Sequence, residues 1–593
     1  MEAGIRNPQF RMPAFSFLGN LAARVRTSST AGALLEIVLP VLPLFFLYFL
    51  QPGVPAAIDM PLHLRAANDY ALVLLTTGGI PDWDPFVFNG FGALTFRYSG
   101  QSPLFVSSLF ILSGCTPGMA LKLSVLAFAI AGSWGMRGFL GAEGLSRPRR
   151  IVGSLLLFSG PGVAMHLYHN FFFQHLCAVL LFPCVLAAMK TSSRRLAIAI
   201  GAMCWTHLQM TFVCICLASF VSVVRSVMAR SARQFVAFLA AASVGGCLAA
   251  PFLLPAMLSV KEAHFEGKNK VRPGIESLFI DEVFRSDTDV NGNKDLVEIG
   301  RFQGLRPALG YLLGSGVRIH SEDGLVLFRF LRSWMFLAVV IVLGLAIAGW
   351  LLAWRRDALP CSLVGFLACL AMFRCSMPLW QLVSPVGELL EFSWRLLIPA
   401  QILLAPAMTD GGFACARTAG RRLPGVAVPI LFLLLFGGLP AISAVFAGIS
   451  KPFGPSDIEY YMNEGRAVAP SFKPFHAPLA AAGRSDGNSL FFPSIVRGAG
   501  AMEPGEPWLA GTRFRVDVAS CGARIRIAAH YDRDWRLTAA GRDITLFPDH
   551  ADGAMTADLP AGVHDLVLER KSPAGRWVGV LLLVIGFSAL AVL

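Results

Sequence analysis

Stretches of mostly apolar residues recur along this chain, and their lengths restrict the fold more than any other feature. A helix of about 20 apolar residues crosses the hydrocarbon core of a bilayer. Twelve stretches approach that length: roughly 33–50, 121–140, 151–168, 171–189, 196–210, 211–224, 235–257, 331–353, 359–373, 396–410, 424–447 and 575–593. Only 15% of the 593 residues are charged, against about 25% in soluble domains. The sequence therefore predicts a polytopic α-helical membrane protein.

The net charge of +13 has two interpretations, a nucleic-acid partner or the Lys/Arg excess that orients membrane helices. Six alternate segments between the predicted spans are rich in Lys and Arg: 1–32, 141–150, 190–195, 225–234, 354–358 and 409–423. The large segments 258–330 and 451–573, on the other side, are nearly neutral. We therefore expect both termini and the basic segments in the cytoplasm, membrane lipids as neighbours, and no nucleic-acid partner.

The chain divides into a membrane part and a C-terminal part of different pattern. Residues 1–450 are predicted to form the multi-spanning domain, with outward segments 51–120 and 258–330. Residues 451–573 contain short runs in which apolar and polar residues alternate, a pattern typical of half-buried strands. We expect an extracytoplasmic β-sandwich-like domain there, followed by a C-terminal transmembrane helix at 574–593.

A further apolar run at 103–114 is only twelve residues long. Counting it as a span would reverse every later loop and break the alternation of basic segments. We therefore interpret it as an interfacial or re-entrant helix.

Polar residues that suit acid–base chemistry are concentrated in the segment 51–120. They are Asp59, His63, Arg65, Asp69, Asp84, Arg97 and Tyr98. Among them we expect Arg65, Asp84, Arg97 and Tyr98 to bind substrate. On a helix, Asp59 and His63 are four positions apart and share a face, as do Arg65 and Asp69. A carboxylate can take the proton from an acceptor hydroxyl, so Asp59 is the candidate general base, with His63 beside it. The alternative is a polar loop whose charges face water.

Short outward turns contain a second polar group: His169, His175, His207 and Gln209. Imidazoles near a membrane are rare and often functional, and we expect these residues to line a substrate site. The alternative is that their polar tips only reach the headgroups. Histidine and carboxylate ligands also suit divalent ions such as Mg or Mn. No spacing selects a metal site, so the sequence leaves open whether such an ion is required.

A third group, Glu391 and Arg395, lies at the outer end of the predicted span 396–410. A guanidinium at the head of an apolar run is costly unless it is paired or an anion binds it. The donors of arginine form a rigid fork that matches phosphate. Arg395 is therefore a candidate for capturing a lipid-linked phosphate. The alternative is a pair with Glu391, four positions earlier, that closes the helix end.

Several of these residues belong to motifs that resemble those of one family. The matching blocks are Asp59-x-x-x-His63-Leu64-Arg65, G-I-P at 79–81, G-F-G at 90–92, Phe96 and Tyr98, T-H-L-Q at 206–209 and F-S-W-R at 392–395. In this order they resemble bacterial membrane proteins that are called 6-pyruvoyl-tetrahydropterin-synthase-related and are close to the YfhO-like family. The pterin-related name does not imply pterin chemistry. Two positions depart from the family pattern. Ser393 stands where proline is usual, and Gln174 or His175 stands where a carboxylate is often found.

The resemblance implies a GT-C-type glycosyltransferase fold. It implies a polyprenyl-phosphate-linked sugar donor, transfer on the outer face of the bacterial cytoplasmic membrane, and Asp59 at the reaction centre. The expected acceptor is an envelope glycan, lipid or protein. Two other classes stay open: a transporter or flippase of lipid-linked glycans, and a non-catalytic envelope assembly protein in which the β domain binds glycan.

Overall fold

The computed structural model describes most of the N-terminal half and the C-terminal domain. The described residues are 29–50, 53–54, 60–87, 92–160, 162–163, 166–167, 172–259, 263–265, 343–344, 346–347, 349–351, 357–372, 376, 393–418, 472–474, 493–503, 507–508, 511–549, 554–573 and 575–593. Two bodies result, a helical bundle and an antiparallel β sheet.

Twelve described helices of twelve residues or more form the bundle. They are α1 Ser29–Leu44, α2 Met60–Thr77, α3 Gln101–Leu112, α4 Pro117–Ala142, α5 Arg147–Phe158, α6 Phe173–Thr191, α7 Ser193–Thr206, α8 Leu208–Met228, α9 Arg233–Ser259, α10 Leu359–Leu370, α11 Leu397–Thr418 and α12 Arg576–Val592. A π-helical turn, Phe45–Phe49, extends α1, and a 3-10 turn, Ser393–Leu396, leads into α11.

Four of the described helices are long and apolar enough to cross a membrane, namely α4, α6, α8 and α9. Shorter apolar helices accompany them, including α3, α10 and α12. The chain is therefore a multi-pass helical membrane protein, as predicted. The count of twelve spans stays a prediction, because the run 424–447 lies outside the described residues and the run 331–353 is described only in part.

Glycines allow two long helices of the bundle to pack closely. A Cβ atom at Gly132 of α4 would lie 2.6 Å from the carbonyl oxygen of Leu180 on α6, and one at Gly135 would lie 2.6 Å from the backbone nitrogen of Cys184. Small residues that let helix backbones approach are typical of contacts between membrane helices. The pair α4 and α6 therefore forms the centre of the bundle.

Part of the predicted outward segment is helical. Residues 60–77 form α2, and the short apolar run near 103–114 forms α3, which packs between α2 and α4. Ser107 of α3 shares a hydrogen bond of 2.9 Å with Ser124 of α4. Tyr70 of α2 donates to Gln101 at 2.6 Å. The first segment is thus anchored on the bundle by polar contacts as well as by apolar packing.

The C-terminal strands are β3 Pro493–Glu503, β4 Pro507–Trp508, β5 Gly511–His530, β6 Trp535–Ala539, β7 Arg542–Ile544, β8 Phe547–Pro548, β9 Ala554–Leu559 and β10 Gly562–Arg570. A separate strand pair joins β1 Ala263–Phe265 to β2 Phe472–Pro474. Two of the runs in which apolar and polar residues alternate, 513–518 and 523–530, form the two halves of β5.

The strands from β3 to β10 form one antiparallel sheet rather than the two facing sheets of the expected sandwich. The strand order is β7-β6-β10-β5-β9-β8, with β3 and β4 also pairing with β5. β10 pairs with the first half of β5 and β9 with the second half, while β3 pairs with both halves. Because the 20-residue β5 makes ladders along its whole length, it holds all its neighbours in a single sheet.

Ion pairs connect residues of the basic loops at one end of the helical bundle. Arg150 donates to both carboxylate oxygens of Glu36 at 2.7 and 2.8 Å. Glu143 contacts Lys190 at 3.0 Å and Arg225 at 2.8 Å. The first contact joins α1 to the start of α5, and the second group of contacts joins the ends of α4, α6 and α8. We call this the basic end; the β sheet contacts loops at the opposite end.

Candidate functional site

Charged residues of the first outward segment are buried against the β sheet. Arg97 donates a hydrogen bond of 2.7 Å to Asp82 and another to Asp534. Arg570, the last residue of β10, contacts Asp532 at 2.9 Å and Asp82 at 3.4 Å. Burial alone raises the pKa of Asp82, but Arg570 and Arg97 outweigh it and hold the pKa well below its usual range. Asp82 therefore stays charged at neutral pH. We call these five residues the loop–sheet junction.

Aromatic side chains surround the cations of the junction. The guanidinium of Arg570 lies 4.6 Å from the ring centre of Trp83 and 5.5 Å from that of Trp535. The two indole rings meet edge to face at 5.6 Å. Gly92 has a φ of +72°, and a Cβ there would lie 2.5 Å from Trp83. The turn before α3 therefore requires glycine at this position.

Tyr98, predicted to bind substrate, ties the same segment to the bundle. Its hydroxyl donates to the carbonyl oxygen of Ser259 at 2.8 Å, at the last residue of α9. On the sheet side, Nδ1 of His530 lies 2.9 Å from the carbonyl oxygen of Gly92. The structure thus places Arg97 and Tyr98 in contacts that fix the segment between helix and sheet.

Arg65 of α2 is the centre of a buried charged group. It forms an ion pair of 3.5 Å with Asp69, one turn along the helix, and both side chains are fully buried. Asp84 lies within electrostatic range of Arg65, and its carboxylate accepts the backbone N–H of Phe86 at 3.1 Å. Burial raises the pKa of Asp84. The nearby charge of Arg65 lowers it, but by less. A buried carboxyl with a raised pKa keeps its proton to higher pH than an ordinary carboxyl does.

His63 lies two positions before Arg65 on the same helix. Its ring meets Phe173, the first residue of α6, edge to face at 5.8 Å. Burial lowers the pKa of His63 to about 4. At neutral pH this imidazole is therefore uncharged and can both donate and accept a hydrogen bond.

Three further imidazoles lie together where α6 and α8 begin. The rings of His166 and His175 are 4.7 Å apart, and those of His175 and His207 are 5.6 Å apart and stacked. His207 also caps α8, since its Nδ1 accepts the backbone N–H of Met210 at 3.2 Å. His175 is buried, and its Nε2 makes no hydrogen bond within the described part of the chain. Gln209 lies half-buried in the same first turn of α8.

Arg395 lies beside this histidine group. Its guanidinium is 5.4 Å from the ring centre of Phe172, which in turn stacks on His175 at 5.9 Å. The charge of Arg395 acts on the imidazoles of His175 and His207. The residue is 6% exposed. Arg395 and the imidazoles, from distant parts of the sequence, therefore line one site, which we call the histidine–arginine site.

Three of the predicted site residues, Asp59, His169 and Glu391, lie outside the described residues. Their roles therefore stay predictions from the sequence. Within the described residues, no group of three or more His, Cys, Asp or Glu side chains has an arrangement that holds a metal ion. A requirement for Mg or Mn therefore stays a prediction from the sequence, and we derive no step through a metal.

The sequence predicts no role for four residues of the loop–sheet junction: Asp82, Asp532, Asp534 and Arg570. One signal was present: the two aspartates of YDRDW at 531–535 immediately precede a strand. Charges at such positions usually face water. In the structure both are buried, Asp534 against Arg97 from 437 positions earlier and Asp532 against Arg570.

Comparison with known proteins gives distant structural similarity. No family model matches the chain, and no curated protein matches it. Among solved structures, the apo oligosaccharyltransferase of Archaeoglobus fulgidus is similar, with 15% sequence identity and a TM-score of 0.36, covering 80% of this chain and 62% of that one. The resemblance to the YfhO-like family therefore stays a prediction.

Two further solved structures are similar. Arabinofuranosyltransferase AftD from Mycobacteria has 17% identity and a TM-score of 0.40, covering 70% of this chain and 27% of that one. ArnT from Cupriavidus metallidurans bound to undecaprenyl phosphate has 15% identity and a TM-score of 0.30, covering 72% and 90%. The chain spans less than two thirds of the length of the first two proteins.

Proposed function

We propose that this protein is a membrane glycosyltransferase that moves a sugar from a polyprenyl-phosphate-linked donor to an acceptor hydroxyl. The acceptor would be a glycan, lipid or protein of the cell envelope, and transfer would take place on the outer face of the cytoplasmic membrane. The observation that carries the proposal is the histidine–arginine site, at the end of the bundle opposite the basic end.

The chemistry of that site favours a phosphate ligand. The guanidinium of Arg395 offers a planar fork of donors that matches phosphate oxygens. The Nε2 of His175, buried in the same site, supplies a further donor when it carries the imidazole proton. Phe172 provides an apolar wall against the guanidinium. A lipid phosphate would be held by these groups while its chain remains in the bilayer.

The transfer step follows from the groups beside this site. The acceptor oxygen would attack the anomeric carbon of the donor sugar and form the new glycosidic bond. The bond between that carbon and the phosphate oxygen breaks, and the lipid phosphate leaves with the electron pair toward Arg395. Asp59 would take the acceptor proton, and the buried group of Arg65 and Asp84 would orient the loop around it. His63, uncharged at neutral pH, would line the acceptor side. The product configuration is inverted by this single displacement.

A transfer assay tests the proposal directly. The purified full chain is incubated with a radiolabelled polyprenyl-phosphate sugar and an envelope extract, and label in acceptor is counted. Asp59→Asn should abolish transfer, and Arg395→Lys should lower it by about a hundredfold, the scale of losing one oriented donor from a leaving-group site. Arg542→Lys, at an exposed position of β7, is the matched control. Full activity of Asp59→Asn would exclude that residue as the base.

The same preparation distinguishes a glycosyltransferase from a flippase. In sealed vesicles, movement of labelled lipid-linked sugar across the bilayer without any covalent product would favour translocation. No sealed compartment exists in detergent, so labelled acceptor formed there would contradict the flippase alternative.

A further inference from the structure

One carboxylate at the basic end faces three guanidinium groups. Glu36 of α1 contacts Arg150 at 2.7 Å, Arg147 at 3.3 Å and Arg137 at 3.4 Å. The Glu36 side chain is 4% exposed, whereas those of Arg147 and Arg137 are 32% and 35% exposed. Because one negative charge meets three positive ones, this group carries a local excess of two positive charges.

The bidentate bond of Arg150 occupies both oxygens of Glu36. The contacts of Arg147 and Arg137 are longer, and the Nε of Arg137 makes no hydrogen bond within the described residues. These two guanidinium groups therefore keep donors for another acceptor. A neighbouring pair shows the contrast: Arg149 meets Asp410 one to one at 2.7 Å.

An apolar stripe leads from Arg137 toward the middle of the bundle. Ile130 and Trp134 lie seven and three positions before Arg137 on α4, and side chains at these spacings share one face of a helix. Ile130 is 46% exposed and Trp134 is 60% exposed. Tryptophan is enriched at the membrane–water interface. The same face of α4 thus presents the apolar side chains of Ile130 and Trp134 next to the cation of Arg137.

We propose that Arg137 and Arg147, with Trp134 and Ile130 beside them, form a binding site for an anionic glycerophospholipid of the surrounding bilayer. The phosphate of the headgroup would accept hydrogen bonds from the two guanidinium groups. The acyl chains would lie along the stripe formed by Trp134 and Ile130. In the predicted topology this lipid belongs to the cytoplasmic leaflet, where basic pockets between helices attract anionic headgroups. The site is separate from the histidine–arginine site and does not depend on the proposed glycosyl transfer.

Native mass spectrometry of the full chain in detergent tests this site. Phosphatidylglycerol and phosphatidylcholine with identical acyl chains are titrated separately, and bound lipid is counted. The unaltered protein should bind phosphatidylglycerol more tightly. Each of Arg137→Gln and Arg147→Gln should weaken that binding by about fivefold, the effect of about 1 kcal/mol for each basic residue near an anionic surface. Phosphatidylcholine binding should change little.

Arg233→Gln is the matched control, because it removes one charge from an exposed position at the first residue of α9. It should leave the preference for phosphatidylglycerol intact. Equal binding of the two lipids by the unaltered protein would overturn the proposal, and this comparison needs no variant to fold. An equal loss in Arg233→Gln and Arg137→Gln would also overturn it, since the effect would then be one of net charge.

Discussion

Arg97 in the first outward segment donates a hydrogen bond to Asp534 of the β sheet, 437 positions further along the chain. Trp83 and Leu94 of the same segment are packed into the apolar core of the sheet. The β sheet therefore contacts the first outward segment through both charged and apolar side chains. It completes the environment of the segment that also contains Asp84.

We expect Arg97→Gln to loosen the sheet from the bundle. The substitution leaves Asp82 and Asp534 buried with one partner fewer, and breaking a buried ion pair typically costs about 3–5 kcal/mol. Limited proteolysis should cleave the variant faster within the first outward segment or between the sheet and α12. Arg524→Gln is the control, because its pair with Asp558 is exposed to solvent and exposed pairs contribute little. Equal cleavage rates for the two variants would contradict a stabilising junction.

Gly92→Ala should destabilise the same region by a different mechanism. The new Cβ would meet Trp83, and the left-handed backbone at this position disfavours alanine. Together we expect a loss on the order of 2–4 kcal/mol in the free energy of unfolding, measured by thermal unfolding in detergent. Gly541→Ala is the matched control. Gly541 has a similar left-handed φ of +76°, but no other atom lies within 4 Å of the new Cβ. A similar loss in both variants would show that the Trp83 contact adds nothing.

The buried His63 predicts a pH dependence of stability. Its pKa is about 4 in the folded protein and 6.5 as the ordinary value, so between these values the unfolded chain binds a proton that the folded protein excludes. The unfolding free energy should therefore fall as pH decreases from about 6.5 to about 4, by up to about 3 kcal/mol. The non-titrating variant His63→Phe should show a shallower slope in unfolding experiments across this range. An unchanged slope would exclude His63 as a cause.

His175→Ala should reduce donor binding more than folding. Its Nε2 is buried beside Arg395 in the proposed phosphate site, and losing a hydrogen bond to a charged ligand costs about 1.5–3 kcal/mol. This corresponds to a binding loss of about tenfold to hundredfold, measurable with a fluorescent polyprenyl phosphate. His564→Ala, at the outer part of β10, should bind normally. Normal binding by His175→Ala would remove His175 from the phosphate site.

The helical fold was predictable because apolar length is a local property of the sequence. The pairing of Arg65 with Asp69 was predictable for the same reason, since helix geometry brings residues four apart together. The junction was not, because Arg97 finds Asp534 only through the fold. The single sheet was missed because two alternating runs looked like separate strands, whereas the chain continues through Cys521 and Gly522 as one strand.

The great separation between Arg97 and Asp534 has a consequence for biosynthesis. A ribosome adds about 5–20 residues per second, so roughly 20 to 90 s pass between synthesis of the two partners. In the predicted topology the first segment would be exported during that interval, before the sheet that covers Arg97 and Trp83 exists. Nascent chains that stop before the sheet is made would leave these groups exposed to proteases outside the membrane. A finished chain thus differs from an incomplete one in the burial of Arg97 and Trp83.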